Sequence, residues 1–124
     1  MMDTSHKYLK MCEKAKEIQN EWTQHDKDFF ICHMGDYDPK SIRQMKRTWL
    51  PRQDQIQDLY KMRCKMNLLN MFCEWFKDKF IDKVTVSDYS TTTMEQLWLR
   101  FYMQDTYNKI WNNIKEEWNE TIIS

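Results

Sequence analysis

Five cations stand between positions 40 and 52 of the chain, with no acidic residue between Pro39 and Gln53. These cations are Lys40, Arg43, Lys46, Arg47 and Arg52. Trp49 lies among them and Tyr60 follows shortly after. Because cations bind phosphate groups and single-stranded bases stack on exposed aromatic rings, the segment indicates a small nucleic-acid patch made of the five cations and Trp49. An acidic protein surface would fit the same residues equally well.

An ordinary solvated face is the alternative interpretation of this basic segment. Four acidic residues flank it, namely Asp36, Asp38, Asp54 and Asp58. The whole chain of 124 residues carries 19 basic and 19 acidic side chains, so its net charge is zero. This balance favours the solvated face, and it is typical neither of a nucleic-acid-binding polycation nor of an acidic mimic of DNA.

Side chains that bind metals are present, but their spacing is not that of a metal site. The thiols and imidazoles that could gather around zinc are Cys12, Cys32, His33, His6 and His25. Their spacing fits no zinc-ligand pattern, so we expect core cysteines and surface histidines. Asp36 and Asp38 form an Asp-x-Asp pair, but the adjacent Pro39 is more typical of a turn than of a cation site. We therefore predict no metal ligands and no cofactor.

Catalytic motifs are also missing from the sequence. No nucleophile elbow or cysteine-enzyme signature occurs. Gly35 is the only glycine, which excludes glycine-rich phosphate loops. We predict a protein that is not an enzyme and has no catalytic residues, with an unrecognised enzyme as an alternative.

The composition favours long helices. One glycine and two prolines are too few for the many tight turns of a β-sandwich or β-barrel. The length suits a single domain over 1–124. We predict a mainly α fold of three to four helices, which can include a short β-hairpin before the central helix, with an α+β fold as the alternative.

The first half of the chain predicts a helix and then a hairpin. Apolar residues recur at alternating steps of three and four from Tyr8 to Trp22, which is one stripe of an amphipathic helix. An aromatic and apolar run at 29–33 is typical of a strand, and 42–49 could be its partner. The alternative is a loop and a short helix at 41–47.

The second half predicts two long helices. Pro51 lacks an N–H and so marks a helix entrance, after which apolar spacing predicts a helix over 54–81, either continuous or broken near 63–65. Thr92 and Glu95 form a capping-box pattern that starts a further helix over 93–118, with a bend or break near 105–106. The apolar face of the first of these helices consists of Ile56, Leu59, Met66, Leu69, Phe72, Phe76 and Phe80, with Met62, Cys73 and Trp75 at its edges.

Three tryptophans lie at the edges of the predicted stripes, namely Trp22, Trp75 and Trp118. An exposed aromatic ring among polar residues is a common sign of a partner surface. We therefore hypothesise that one of the three is exposed and contacts a partner.

The expected compartment is the cytoplasm. Four cysteines occur without a C-x-x-C pair, and the N-terminus has no apolar leader, so we expect reduced thiols and no export. No apolar run approaches the roughly 20 residues of a membrane span, so no membrane partner is expected.

Two stretches resemble motifs of small uncharacterised proteins encoded by bacteriophages and prophages. They are WLPRQDQIQ at 49–57 and MEQLWLRFYM at 94–103. Gly35-Asp36 and Trp111-Asn112 also fit, whereas Asn113 stands where a glycine would be expected. The resemblance implies a phage accessory protein working in the cytoplasm of a bacterial host, and it supplies no activity.

Together with the missing catalytic motifs, this resemblance leads us to expect a protein that binds and inhibits a host protein. A component of bacterial defence such as a CRISPR effector would be a suitable partner, as for an anti-CRISPR protein. Nucleic acid bound through 40–52 is the alternative partner. Nothing in the chain indicates self-association.

Overall fold

A computed structural model describes residues 3–22, 30–34, 45–61, 65–80 and 92–120, and for 31–34 and 45–47 it describes the backbone alone. Its helices are α1 (His6–Lys14), α2 (Lys16–Glu21), α3 (Gln53–Asp58), α4 (Lys65–Trp75) and α5 (Met94–Tyr107), and a π-helical turn at Phe76–Phe80 continues α4. Two antiparallel hairpins pair β1 (Phe30–Met34) with β2 (Met45–Trp49) and β3 (Lys109–Asn112) with β4 (Glu117–Glu120). The predicted mainly α fold is confirmed, as is the hairpin before the central helices.

The segment formed by α1 and α2 buries one stripe, as predicted. Ser5 caps α1, because its Oγ accepts a hydrogen bond from the Tyr8 N–H at 3.2 Å. Tyr8, Met11, Ala15 and Ile18 are all fully buried. The helix is interrupted at Ala15, yet both halves present this stripe to the core.

Gln19 attaches α2 to the end of β2. Its Oε1 accepts a hydrogen bond from the Trp49 N–H at 2.8 Å, and its Nε2 donates to the Trp49 carbonyl at 3.0 Å. The amide thus satisfies both backbone groups of Trp49, which buried backbone requires. The Trp49 ring is parallel to that of Trp22, with centroids 6.1 Å apart.

The predicted helix over 54–81 is broken, in line with the second of its two alternatives. Arg52 precedes α3, and its N–H donates to Gln55 Oε1 at 2.9 Å. The helix ends at Asp58, and Lys61 has a left-handed φ of 54°. The chain therefore leaves helical geometry before the predicted position, since a regular right-handed helix contains no such residue.

The break decides which face of α4 is buried. Leu68, Phe72 and Trp75 are its buried residues, at steps of four and three. Met66 and Leu69, predicted on the buried face, are instead 65% and 41% exposed. That part of the prediction is wrong because it assigned one apolar face to the whole of 56–80, and the break between α3 and α4 does not preserve the helical phase.

The helix α5 occupies the centre of the core and contacts α3, α4 and β3. It is capped by Thr93, whose Oγ1 accepts from the Gln96 N–H at 3.2 Å, one residue after the predicted cap at Thr92. All residues from 98 to 103 are buried. Phe101 lies 5.6–5.7 Å, between ring centroids, from four other rings, those of Tyr60, Phe72, Trp75 and Trp98.

The predicted helical continuation to 118 is wrong, since residues 109–120 form the β3–β4 hairpin. Asn108 ends α5 with a left-handed backbone, φ 56° and ψ 42°, a conformation that asparagine adopts more readily than most residues. Trp111 faces Trp118 across the hairpin, with ring centroids 5.2 Å apart. A separation of seven residues fits two helical turns, but here it joins two paired strand residues.

The central position of Phe101 predicts a large effect of its truncation. We expect Phe101→Ala to lower the free energy of unfolding by about 3–5 kcal/mol, because it leaves a cavity among four rings. Urea denaturation measures this loss. The control is Ile114→Ala, at a side chain that is 95% exposed, which should change stability by less than about 0.5 kcal/mol. A loss at Phe101 no larger than at Ile114 would contradict the packing of α5.

Candidate binding surface

The structure describes four of the six residues predicted for the basic patch, two of them by their backbone alone. Lys40 and Arg43 lie outside the described residues. Lys46 and Arg47 lie in β2, where they pair with His33 and Cys32 of β1.

The remaining two residues, Trp49 and Arg52, have very different environments. Trp49 is 5% exposed and its ring lies against Trp22, so a nucleic-acid base cannot stack on it in this structure. The Arg52 side chain is 39% exposed, and its Nε lies 3.2 Å from Asp54 Oδ1. An exposed ion pair of this kind contributes less than about 1 kcal/mol to stability. A binding role for the six residues stays a prediction.

The candidate zinc ligands are only partly described. Cys12 is fully buried, and burial raises the pKa of its thiol well above the ordinary value. His6 is exposed at the start of α1. Within the described ranges, no group of three or more His, Cys, Asp or Glu residues is placed to hold a metal ion. The side chains of Cys32 and His33, and all of His25, Asp36 and Asp38, lie outside the description.

The hypothesis of an exposed tryptophan is wrong for all three candidates. Trp75 is 8% exposed, and its Nε1 donates to Gln104 Oε1 at 2.8 Å. Trp22 and Trp118 are half-buried and pack against the core. Trp118 also donates from Nε1 to the Met11 carbonyl at 3.0 Å. A partner surface must therefore be sought elsewhere in the described structure.

Apolar side chains are instead exposed along α4. Met66, Leu69 and Cys73, here called the α4 strip, follow one another at steps of three and four, so they lie on one side of the helix. Met66 is 65% exposed, Leu69 is 41% exposed and Cys73 is also exposed. Single exposed apolar residues are common on protein surfaces, but an aligned group beside a buried stripe is typical of a binding face.

Polar residues border the α4 strip. Lys65, Asn67, Asn70 and Glu74 are all exposed on the same helix. An apolar centre with a polar rim is the usual organisation of a protein–protein interface. Because methionine is flexible and polarisable, Met66 can adapt to the shape of a partner surface.

A cleft of about 280 Å³ lies on the other flank of α4, between this helix and α5. Trp75, Phe101 and Gln104 form part of its lining. Its charged residues are three acids and one base, namely Glu74, Asp78, Asp105 and Lys79. The surface around α4 therefore combines exposed apolar groups with a surplus of negative charge.

Two tyrosines donate hydrogen bonds to Glu21 and tie α2 to α5. Tyr102 donates to Glu21 Oε2 at 2.9 Å, and Tyr107 donates to Oε1 at 3.1 Å. Burial raises the pKa of both phenols, and the hydrogen bonds to the carboxylate raise it further. Both phenols thus keep their protons near neutral pH and serve as hydrogen-bond donors that connect α2 to α5.

The carboxylate of Asp3 forms a second tie, between the N-terminal segment and α5. Its Oδ2 accepts from Thr93 Oγ1 at 2.6 Å and from Gln96 Nε2 at 2.7 Å, while Oδ1 accepts from the Ser5 N–H at 2.8 Å. Burial alone would raise the pKa of Asp3, but these hydrogen bonds to the charged form outweigh it, so the pKa lies below its ordinary value. The ionised carboxylate thereby stabilises the folded chain.

This lowered pKa predicts a pH-dependent effect of Asp3→Asn. As the pH falls, Asp3 is protonated in the unfolded chain before it is protonated in the folded chain. The stabilisation by the Asp3 carboxylate is therefore complete above the ordinary pKa of 3.8, and it is lost as the pH falls through the lower pKa of the folded chain. At pH 7 we expect the substitution to lower the free energy of unfolding by about 1–3 kcal/mol, because a buried hydrogen bond is broken.

Urea denaturation from pH 7 down to about pH 2.5 measures this dependence, and the difference between wild type and Asp3→Asn should shrink below pH 3.8. Asp54→Asn is the matched control, since the Asp54 side chain is 66% exposed. A difference for Asp3→Asn that stays constant over the whole range would contradict the proposed role of the charge.

Comparisons with protein-family models, with curated protein sequences and with solved structures found no match to this chain. Among the described residues, no helix has both the length and the apolar content required to cross a membrane. The described structure defines a small, mainly α protein with an exposed apolar strip on α4, and any function must be argued from that geometry.

Proposed function

We propose that this chain is a non-enzymatic, phage-type accessory protein that binds and inhibits a host protein. The observation that carries the proposal is the α4 strip of Met66, Leu69 and Cys73, an aligned set of exposed apolar side chains on a helix whose neighbouring face is fixed in the core. The resemblance to phage proteins supplies the context. A component of bacterial defence, such as a CRISPR effector, is the partner class that this context favours, and the bacterial cytoplasm is the proposed location.

The strip is the centre of the proposed interface and not the whole of it. A stable protein–protein interface covers about 800 Å² on each partner, which is far more than three side chains can provide. The exposed polar residues of α4 extend the contact, and the acidic cleft beside α5 suits a basic side chain of the partner. The apolar centre supplies most of the affinity, since a few buried anchors dominate such interfaces.

Rigidity of α4 supports this role. Leu68, Phe72 and Trp75 hold the helix in the core, and the Trp75–Gln104 hydrogen bond attaches its end to α5. A fixed helix loses little conformational entropy when a partner binds, so more of the contact energy appears as affinity.

Affinity capture with paired variants tests this proposal. The tagged chain is immobilised and incubated with lysate of the bacterial host, with and without nuclease. The captured protein is identified by mass spectrometry. It is then purified, and its affinity for the chain is measured by titration. We expect a partner that survives nuclease. Met66→Glu with Leu69→Glu should weaken its binding at least about a hundredfold, because two charges would be buried in an apolar contact.

The matched control for this experiment is Asn20→Glu with Asn119→Glu, which adds the same two charges to exposed positions of α2 and β4, outside α4. Equal binding by the wild type and the strip variant would contradict the proposed surface. Loss of capture after nuclease, together with loss of binding on charge reversal of Arg43, Lys46, Arg47 and Arg52, would instead identify a nucleic-acid-binding protein.

A further inference from the structure

Sulfur-containing side chains make up most of the α4 strip. Met66 and Cys73 are two of its three residues, and both are exposed to solvent. Peroxides oxidise thioethers and thiols, whereas the aliphatic side chain of Leu69 is inert to them. The proposed partner surface therefore contains two groups that oxidation converts from apolar to polar.

Burial separates Met66 from the methionines of the core. Met66 is 65% exposed, whereas Met11 and Met103 are both fully buried. An oxidant reaches Met66 in the folded protein, but it reaches the two buried residues only when the chain opens. The three buried residues of α4 contain no sulfur, so the packing of this helix does not depend on the oxidation state of Met66.

The sulfoxide of Met66 would have different consequences in the free and the bound chain. Oxidation turns the apolar thioether into a polar group with a hydrogen-bond acceptor. In the free chain this oxygen is hydrated, because the side chain is largely open to solvent. In an apolar contact with a partner it loses that water, which is unfavourable without a new hydrogen bond. Oxidation thus opposes binding without opposing folding.

We propose that Met66 is an oxidation site at which a peroxide switches off binding by the α4 strip. The peroxide transfers one oxygen atom to the Met66 sulfur and leaves as water, so the sulfur is oxidised by two electrons and the O–O bond is reduced. Methionine sulfoxide reductases reverse this modification. This role of Met66 rests on the proposed function, since it requires that the strip contacts a host protein.

Oxidation of the chain alone tests the site. The folded chain is treated with hydrogen peroxide and then with dithiothreitol, which reduces reversibly oxidised thiols but leaves methionine sulfoxide intact. Peptide mass mapping should show the sulfoxide at Met66 while Met11 and Met103 remain unmodified. Urea denaturation should give the same midpoint before and after treatment. Oxidation of Met66 no faster than that of Met11, or loss of the folded state on treatment, would overturn the proposal.

The affinity of the captured host protein, measured before and after the same treatment, tests the switch. We expect oxidation to weaken binding at least about tenfold, because a polar oxygen is buried in an apolar contact. Methionine sulfoxide reductase should restore the affinity. In Met66→Leu, whatever its starting affinity, treatment should leave binding nearly unchanged. Met94→Leu is the matched control, since Met94 is 45% exposed at the start of α5, outside the strip, and this variant should lose affinity on treatment as the wild type does.

The outcomes separate the switch from the proposed function. If Met66→Glu with Leu69→Glu abolishes binding but oxidation does not weaken it, the switch is wrong and the proposed function stands. Equal binding by the wild type and that double variant contradicts the proposed function, and the switch fails with it. An equal effect of oxidation on the wild type and Met66→Leu would assign the loss to another methionine and overturn the role of Met66.

Discussion

The stacked rings of Phe72 and Trp98 form the contact on which the helical core depends. Their centroids lie 4.1 Å apart and their planes differ by 11°, which joins α4 to the middle of α5. Trp98 is fully buried, and Phe101 extends the same cluster of rings on the next turn. With large aromatic side chains filling the space around α5, α4 needs only Leu68, Phe72 and Trp75 to complete its packing. The remaining apolar residues of α4 are consequently left at the surface.

Short sequence patterns correctly predicted those helices and strands whose geometry is determined by residues close to them in the sequence. The stripe from Tyr8 to Ile18 is buried, β1 at Phe30–Met34 pairs with the expected partner strand, and α5 begins within one residue of its predicted cap. The end of α5 could not be predicted in this way. Asn108 is compatible with either helix or turn, and the choice depends on the pairing of Trp111 with Trp118, which spacing alone cannot distinguish from two helical turns.

The residues of the α4 strip stand at helical spacing in the sequence, but the prediction placed them in the core. Met66, Leu69 and Cys73 satisfy helical periodicity as well as Leu68 and Phe72 do, so periodicity cannot decide which set is buried when a helix carries two apolar stripes. The decision depends on the left-handed Lys61 and on contacts with α5. Conversely, the charges at 40–52 are plain in the sequence, whereas the burial of Trp49 depends on the distant Gln19 and Trp22.

The chemical reactivity of Cys73 in the folded protein tests most directly whether α4 presents an exposed strip. Cys73 is exposed, whereas Cys12 is fully buried and burial raises the pKa of its thiol. Labelling with N-ethylmaleimide, followed by peptide mass mapping, should modify Cys73 rapidly and Cys12 only as the chain unfolds. If Cys73 were protected as strongly as Cys12, the strip would lie in the core, and α4 would offer no apolar surface to a partner.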